Sequence, residues 1–393
     1  MPAIALIDGE HHPAAVRDAL AGLELAGVIF CGGEEKLPPG PLEEHYGLPV
    51  ETDPEPALRR LAPAADAVLD LADEPVLPAS AKLRVAALAL SLGLRYEAPG
   101  VLLEPPRYEP VAFAGPKLAV IGTGKRTGKT AVAGHWARLL DELGADPVVV
   151  CMGRGGPAKP QLAGADTDLE GLLRIADAGG HAASDFLEDA VVAGVRTVGC
   201  RRVGGGFAGA PAESNVPAGA ALAASLEPGA ILFEGSGACV PPVEVDRTVC
   251  VLGAGAPEPF AEYRVARAQL VLAAPGAQAP PADALPFELR PEPLEPLPDG
   301  ARVALFTTGA PSVAGVEPRV SSTNLARRGA LAADLERAGR EGCEVYLTEL
   351  KAAAIDTVAR HARRAGARVV FVRNRPAGDG LDDALVNLYR DAG

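Results

Sequence analysis

Leu118-Ala-Val-Ile-Gly122-Thr123-Gly124-Lys125-Arg126-Thr127-Gly128-Lys129-Thr130 is the stretch whose reading decides the fold. An apolar strand enters a Gly-rich turn, and the turn opens an apolar-patterned helix through Ala131, Val132, Trp136 and Leu139. Strand, turn and helix in that order are the setting a phosphate-binding loop requires. Backbone N–H groups of the turn and the helix start point at an anion, and glycine lets the chain approach it closely. Lys129 then reaches the outer phosphates and the Thr130 hydroxyl ligates Mg²⁺. The first glycine of the usual loop pattern is replaced by Thr123. An ordinary Gly-rich turn would account for Gly122 and Gly128, but not for Gly-Lys-Thr at a helix start.

A second segment answers the first. Ala230-Ile-Leu-Phe-Glu234-Gly235-Ser236-Gly237 is a buried-type strand ending in one carboxylate and a Gly-Ser-Gly turn. Phosphoryl-transfer enzymes need a strand-end acid that holds the metal, or its water, beside the phosphate loop. Glu234 stands at that position.

The chain has 393 residues, 48% of them hydrophobic, which is room for two or three domains with a large core. A formal charge of −14 argues against nucleic acid as a partner, so an anionic substrate must meet a local basic pocket within an acidic body. No apolar run has the length of a membrane span, and the first residues carry no basic flank or cleavage signal; a cytosolic protein is expected. The six cysteines are widely spaced without a C-x-x-C pair, so neither a zinc nor a disulfide framework is expected.

Strands alternate with helices throughout, which favours a mostly parallel sheet flanked by helices. The expected fold class is α/β: a P-loop NTPase with a smaller N-terminal α/β domain. Residues 1–110 form that smaller domain, 116–290 the catalytic domain, and 300–393 a C-terminal α/β segment that either extends the sheet or makes a third lobe. The Pro-rich stretch 276–298 reads as an irregular linker or wrapping loop.

Three further clusters combine glycine with cationic side chains after predicted strands: Arg154-Gly155-Gly156, Arg201-Arg202-Val-Gly204-Gly205-Gly206, and Glu349-Leu-Lys351. Ligands of parallel sheets bind beyond the carboxyl ends of the strands, where all three lie with the phosphate loop and Glu234. Arg forks grip phosphate oxygens in bidentate fashion. Together the clusters describe a site for more phosphate than one nucleotide brings. Asp185, Glu188 and Asp189 share a helical face and read as a solvated one. His11 and His12 follow Asp8 at a strand end and are read as loop residues without a role.

These segments resemble the cyclic 2,3-diphosphoglycerate synthetase family. The resemblance runs through 122–130, Met152 to Pro157, Ser184 to Asp189, Val198 to Arg202 with its glycines, Ser214-Asn215-Val216, Glu234 to Gly237 and Thr348 to Lys351. It is densest from about 117 to 255. The phosphate loop and the Glu-Gly-Ser-Gly turn also look like dethiobiotin synthetase, whose loop carries the same Thr where Thr123 stands. The resemblance implies a ligase that closes 2,3-diphosphoglycerate into its cyclic form with ATP and Mg²⁺. It implies Lys125, Lys129, Glu234 and Lys351 as catalytic residues. The nucleotide is given to Gly122 through Thr130, with Asn374 at the adenine, and the metal to Thr130 and Glu234. The polyanionic substrate is given to Arg154, Arg201, Arg202 and Gly204 to Gly206.

Two alternatives stay open at this point. One is a dethiobiotin-type ring-forming ligase, which would need a site for a long apolar acid. The other is a nucleotide-switched binding protein or metallochaperone GTPase, although no Asn-Lys-x-Asp base-reading segment occurs. A homodimer is the expected assembly.

Overall fold

A computed structural model describes residues 1–309 and 312–393. The chain divides into two compact units, of which the first holds Met1–Arg107 together with Phe207–Gly209 and Ala256–Ala268. Its five strands are β1 (Ala3–Ile7), β2 (Leu25–Phe30), β3 (Ala67–Asp70), β4 (Arg95–Ala98) and β5 (Val101–Leu103), in the order β2-β1-β3-β4-β5. All pairings are parallel except β4 with β5. Along β1, Ile4 and Leu6 pack into one apolar cluster and Ala5 and Ile7 into another, so both faces of the sheet are covered. That is why these strands read as continuous apolar runs rather than alternating ones. The two later excursions add Phe260 and Tyr263 to this core, and Phe260 stacks on Phe207 with ring centroids 5.3 Å apart.

Two carboxylates are wholly buried at strand ends of this unit, and each is satisfied locally. Asp8 accepts from the backbone of Glu10 at 2.9 Å and pairs with His11 Nδ1 at 2.8 Å. Asp70 accepts from Lys82 at 2.8 Å and from the Tyr96 hydroxyl. His11 is therefore spent on holding a turn.

The second unit carries the nine-stranded sheet. Its strands are β6 (Lys117–Gly122), β7 (Pro147–Gly153), β8 (Gln161–Ala163), β9 (Arg196–Val203), β10 (Glu213–Ser214), β11 (Ala230–Glu234), β12 (Arg247–Leu252), β13 (Leu270–Ala273) and β14 (Leu285–Pro286). The order is β10-β9-β7-β11-β6-β12-β13-β14, with β8 pairing β9. The pairings from β9 to β14 are parallel, and β8 and β10 run antiparallel to β9. Consequently β6, β7, β9 and β11 deliver the phosphate loop, Arg154, the Arg201-Arg202 pair and Glu234 to one edge. The helix Lys129–Glu142 buries Val132, Trp136 and Leu140 against Leu118, Val120, Val149 and Leu232. Its outer side is capped by the helix Leu381–Arg390: Trp136 Nε1 donates to Leu385 O at 3.0 Å, and His135 Nε2 meets Asp382 Oδ1 at 2.7 Å.

Residues after 287 build a separate five-stranded sheet in the same unit. Its strands are β15 (Glu288–Pro293), β16 (Val303–Phe306), β17 (Val320–Ser322), β18 (Val345–Glu349) and β19 (Arg368–Ala377), in the order β15-β19-β18-β16-β17. The Pro-rich stretch expected to be irregular is partly a strand, since β15 pairs antiparallel with β19 over six residues. It can do so because β15 is an edge. Pro291 and Pro293 are two apart, so their missing donors face one side, and there Pro291 O accepts from Ala314 N at 3.2 Å instead of from a strand. One turn of π-helix, Ala354–Ala359, follows β18 and Lys351.

Candidate active site

The phosphate loop has the geometry its sequence demands. Gly128 caps the helix start at φ 101°, a conformation that side chains other than glycine rarely adopt. Thr123 explains its own departure from the usual pattern, because its hydroxyl accepts the backbone N–H of Gly253 at 3.3 Å and ties the loop to the end of β12. Lys125 and Arg126 are exposed at the tip, and Arg126 takes a left-handed φ of 58°. Lys129 is buried, and its ammonium donates to Gly124 O at 2.6 Å and Thr127 Oγ1 at 3.3 Å. The lysine thus lies across its own loop.

Glu234 ends β11 with 3% exposure. Its Oε1 accepts from Thr130 Oγ1 at 2.6 Å, and its Oε2 from Cys151 Sγ at 3.3 Å. Asp189, 1% exposed, faces the same spot, and neither of its oxygens has a partner. Burial and the neighbouring Glu234 charge push the Asp189 carboxyl well above the usual carboxylate range. Burial, then the surrounding carboxylates, likewise raises the Cys151 thiol. Two carboxylates this close and this dry repel each other unless a proton or a cation lies between them.

The face expected to be solvated needs correction. Asp185 is exposed, but the helix Asp185–Ala193 packs on β7 and β9 and carries Asp189 and Glu188 inward. Glu188 Oε1 pairs with Lys351 Nζ at 3.2 Å. Burial raises Glu188 to about 7 against the opposing pull of Lys351, and the Glu188 charge raises Lys351. Thr130, Asp189, Lys351 and Asn374 line one cavity of about 30 Å³, so the structure brings the C-terminal residues of the candidate set to the phosphate-loop helix.

The basic clusters separate. Strand alternation sends Arg201 to solvent and Arg202 inward at 8% exposure. Arg202 donates to Gly204 O at 2.6 Å and to Ser236 O at 2.9 Å, which fixes the turn after Glu234. Arg154 crosses the same turn: a side chain at Gly237 would collide with its guanidinium. Gly204, Gly205 and Gly206 follow β9 as an exposed turn. Beside Arg154 a cavity of about 150 Å³ opens among Gly153, Gly155, Gly156 and Ser184. Cys151 and Asp189 escaped the sequence reading. Asp189 lay within one of the segments that carry the resemblance, but its spacing alone fits a wet helix face equally well.

Three family models tile the chain: the N-terminal domain of cyclic 2,3-diphosphoglycerate synthetase over 2–104, its P-loop domain over 117–280 and its C-terminal domain over 298–375. The chain belongs to the cyclic 2,3-diphosphoglycerate synthetase family. A member from Rubrobacter xylanophilus is 43% identical, covering 100% of this chain and 98% of its own length. One from Thermococcus gammatolerans is 39% identical, covering 98% and 96%. The superposition on LpxK from Aquifex aeolicus, solved in complex with ATP, is loose, at TM-score 0.44 and 11% identity over 73% of this chain and 91% of that one. The family match and the loop geometry make this a nucleotide-binding P-loop fold. Among the described residues no helix is long and apolar enough to cross a membrane.

Proposed function

We propose that this chain closes 2,3-diphosphoglycerate into cyclic 2,3-diphosphoglycerate, converting ATP to ADP and phosphate with Mg²⁺. The observation that carries this reading is the full-length family match seated on an intact loop-and-acid pair. All three family models name the same synthetase, which leaves the dethiobiotin-type and metallochaperone alternatives without support.

The residues present fit Mg²⁺. A hard cation takes oxygen ligands, and Thr130 Oγ1 and Glu234 Oε1 stand 2.6 Å apart beside the partnerless Asp189 carboxylate. Thr130 and Glu234 would hold the ion, directly or through water. Its contribution when bound is to neutralise charge on the phosphate oxygens.

In the reaction, an oxygen of one substrate phosphate attacks the γ-phosphorus of ATP, and the bond to ADP breaks. The resulting anhydride is attacked by the neighbouring phosphate at the phosphorus nearest carbon. Inorganic phosphate leaves and the P–O–P ring closes. Two polyanions must approach, so most of the work is positioning and charge neutralisation. Lys129 and the loop amides hold the ATP phosphates, while Lys125 and Arg126 shield them from the exposed tip. Arg154 and Arg201 receive the second substrate at the Gly153–Gly156 cavity, and Arg202 fixes the Gly235-Ser236-Gly237 turn beneath it. Lys351 and Asn374 close the site from the C-terminal sheet.

Phosphorus NMR of the protein with ATP, Mg²⁺ and 2,3-diphosphoglycerate tests the reading. The expected result is a new pair of pyrophosphate resonances growing with ADP and phosphate. ATP hydrolysis without that pair would leave only a nucleotidase. Sedimentation velocity on the same sample tests the expected homodimer.

A further inference from the structure

The Cys151–Asp189–Glu234 cluster holds one feature that a Mg²⁺ site does not need, a sulfur. Each of the three residues offers a ligand atom, and those atoms lie within 4.8 Å of one another, all buried. It is the one such cluster among the described residues. Hard cations ignore thiolates, whereas zinc and its heavier relatives select them. Zn–S of about 2.3 Å and Zn–O of about 2.0 Å at tetrahedral angles give an S···O edge of about 3.5 Å. Cys151 Sγ and Glu234 Oε2 already stand 3.3 Å apart. The third ligand, Asp189, is buried and neither of its oxygens makes a hydrogen bond of normal geometry. The small cavity lined by Thr130 and Asp189 adjoins the cluster.

We propose that Cys151, Asp189 and Glu234 form a site for a thiophilic divalent cation, of the zinc and cadmium class, which switches the active site off. As the metal–sulfur bond forms, the thiol proton leaves to solvent, and the fourth position stays with water. Held to this ion through Oε2, Glu234 shares its single charge between two cations and grips the Mg²⁺ beside Thr130 more weakly through Oε1. The soft cation therefore weakens the hold of the strand-end acid on the nucleotide's own metal, and the thiolate bond gives it the higher affinity for the cluster.

The test titrates Cd²⁺ alone into the nucleotide-free protein and follows the ultraviolet thiolate-to-cadmium charge-transfer band. One equivalent is expected to saturate the band, Cys151→Ser to abolish it, and Asp189→Asn to weaken Cd²⁺ binding by about tenfold or more. A band that survives in Cys151→Ser, or none in the wild type, overturns the proposal. Should Cys151→Ser not fold by circular dichroism, X-ray absorption on the zinc-loaded wild type decides. One sulfur at about 2.3 Å beside oxygens supports the site, and a shell with no sulfur or two sulfurs refutes it. The switching half requires ATP with excess Mg²⁺ to diminish the band, and an unaffected band refutes that half. These readouts do not depend on the cyclisation assay, so failure there and failure here are distinguishable.

Discussion

Replacing Glu234 by Gln should stabilise the metal-free protein while weakening its response to Mg²⁺. The side chain is 3% exposed, and the nearest oxygens of Glu234 and Asp189 are no more than 4.8 Å apart. At an effective dielectric of about 20, two full charges at that distance repel by about 3 kcal/mol. Part of this is relieved because burial and Glu234 raise the Asp189 carboxyl, which favours its neutral form. Gln keeps an oxygen for the Thr130 hydroxyl and turns an amide N–H₂ toward the partnerless Asp189. Metal-free stability should therefore rise by about 1–3 kcal/mol. Urea unfolding in EDTA, and again with Mg²⁺ and ATP, measures both halves. The wild type should gain more from Mg²⁺ than the variant does, since stabilisation by a ligand grows with its affinity. A variant less stable than wild type in EDTA would refute the repulsion argument. An unchanged gain from Mg²⁺ would take the ion away from Glu234.

Lys129→Ala removes the one cation folded across the phosphate loop and should lower turnover by on the order of 10²-fold or more in a protein that still folds, read by ADP release. Arg201→Ala should raise KM for 2,3-diphosphoglycerate with ATP affinity unchanged by calorimetry; equal weakening of both ligands would place Arg201 on the nucleotide. Arg202→Ala, by contrast, strips donors from two backbone carbonyls and should cost about 2 kcal/mol of stability by denaturant titration. His135 gives a pH signature. Burial depresses its pKa below the usual 6.5 despite Asp382, so the unfolded chain binds the proton more readily between those two values. Stability present above pH 6.5 should be lost as pH falls below it, and His135→Gln should flatten that part of the urea-midpoint profile.

The fold was legible where local chemistry speaks in few residues. Gly-Lys-Thr at a helix start and a strand ending in Glu-Gly-Ser-Gly can hardly be read otherwise, and β6, β7 and β11 lie where their apolar runs placed them. Thr130 and Glu234 meet as the motif implies. What stayed hidden depends on pairing partners far along the chain. Pro291 and Pro293 forbid a central strand but not an edge, and which strand becomes an edge is decided by β19, about eighty residues later. Asp185, Glu188 and Asp189 look alike at helical spacing, yet packing on β7 and β9 leaves the first in water, half-buries the second and buries the third. Arg201 and Arg202 looked like one clamp, and only their placement inside a strand turns them to opposite faces.

Trp136 and His135 on the phosphate-loop helix are covered by the helix Leu381–Arg390, and the Trp136 to Leu385 bond closes a span of 249 residues. During synthesis that cover emerges late. At about 5–20 residues per second, the indole waits roughly 12–50 s after leaving the ribosome before its partner exists. Through that interval the nucleotide core is a half-built layer, with the side of the indole that later meets Leu385 left uncovered. The nascent chain is then open to aggregation or to capture by chaperones, and a ribosome stalled between Thr130 and Leu381 carries a complete phosphate loop on an unfinished core.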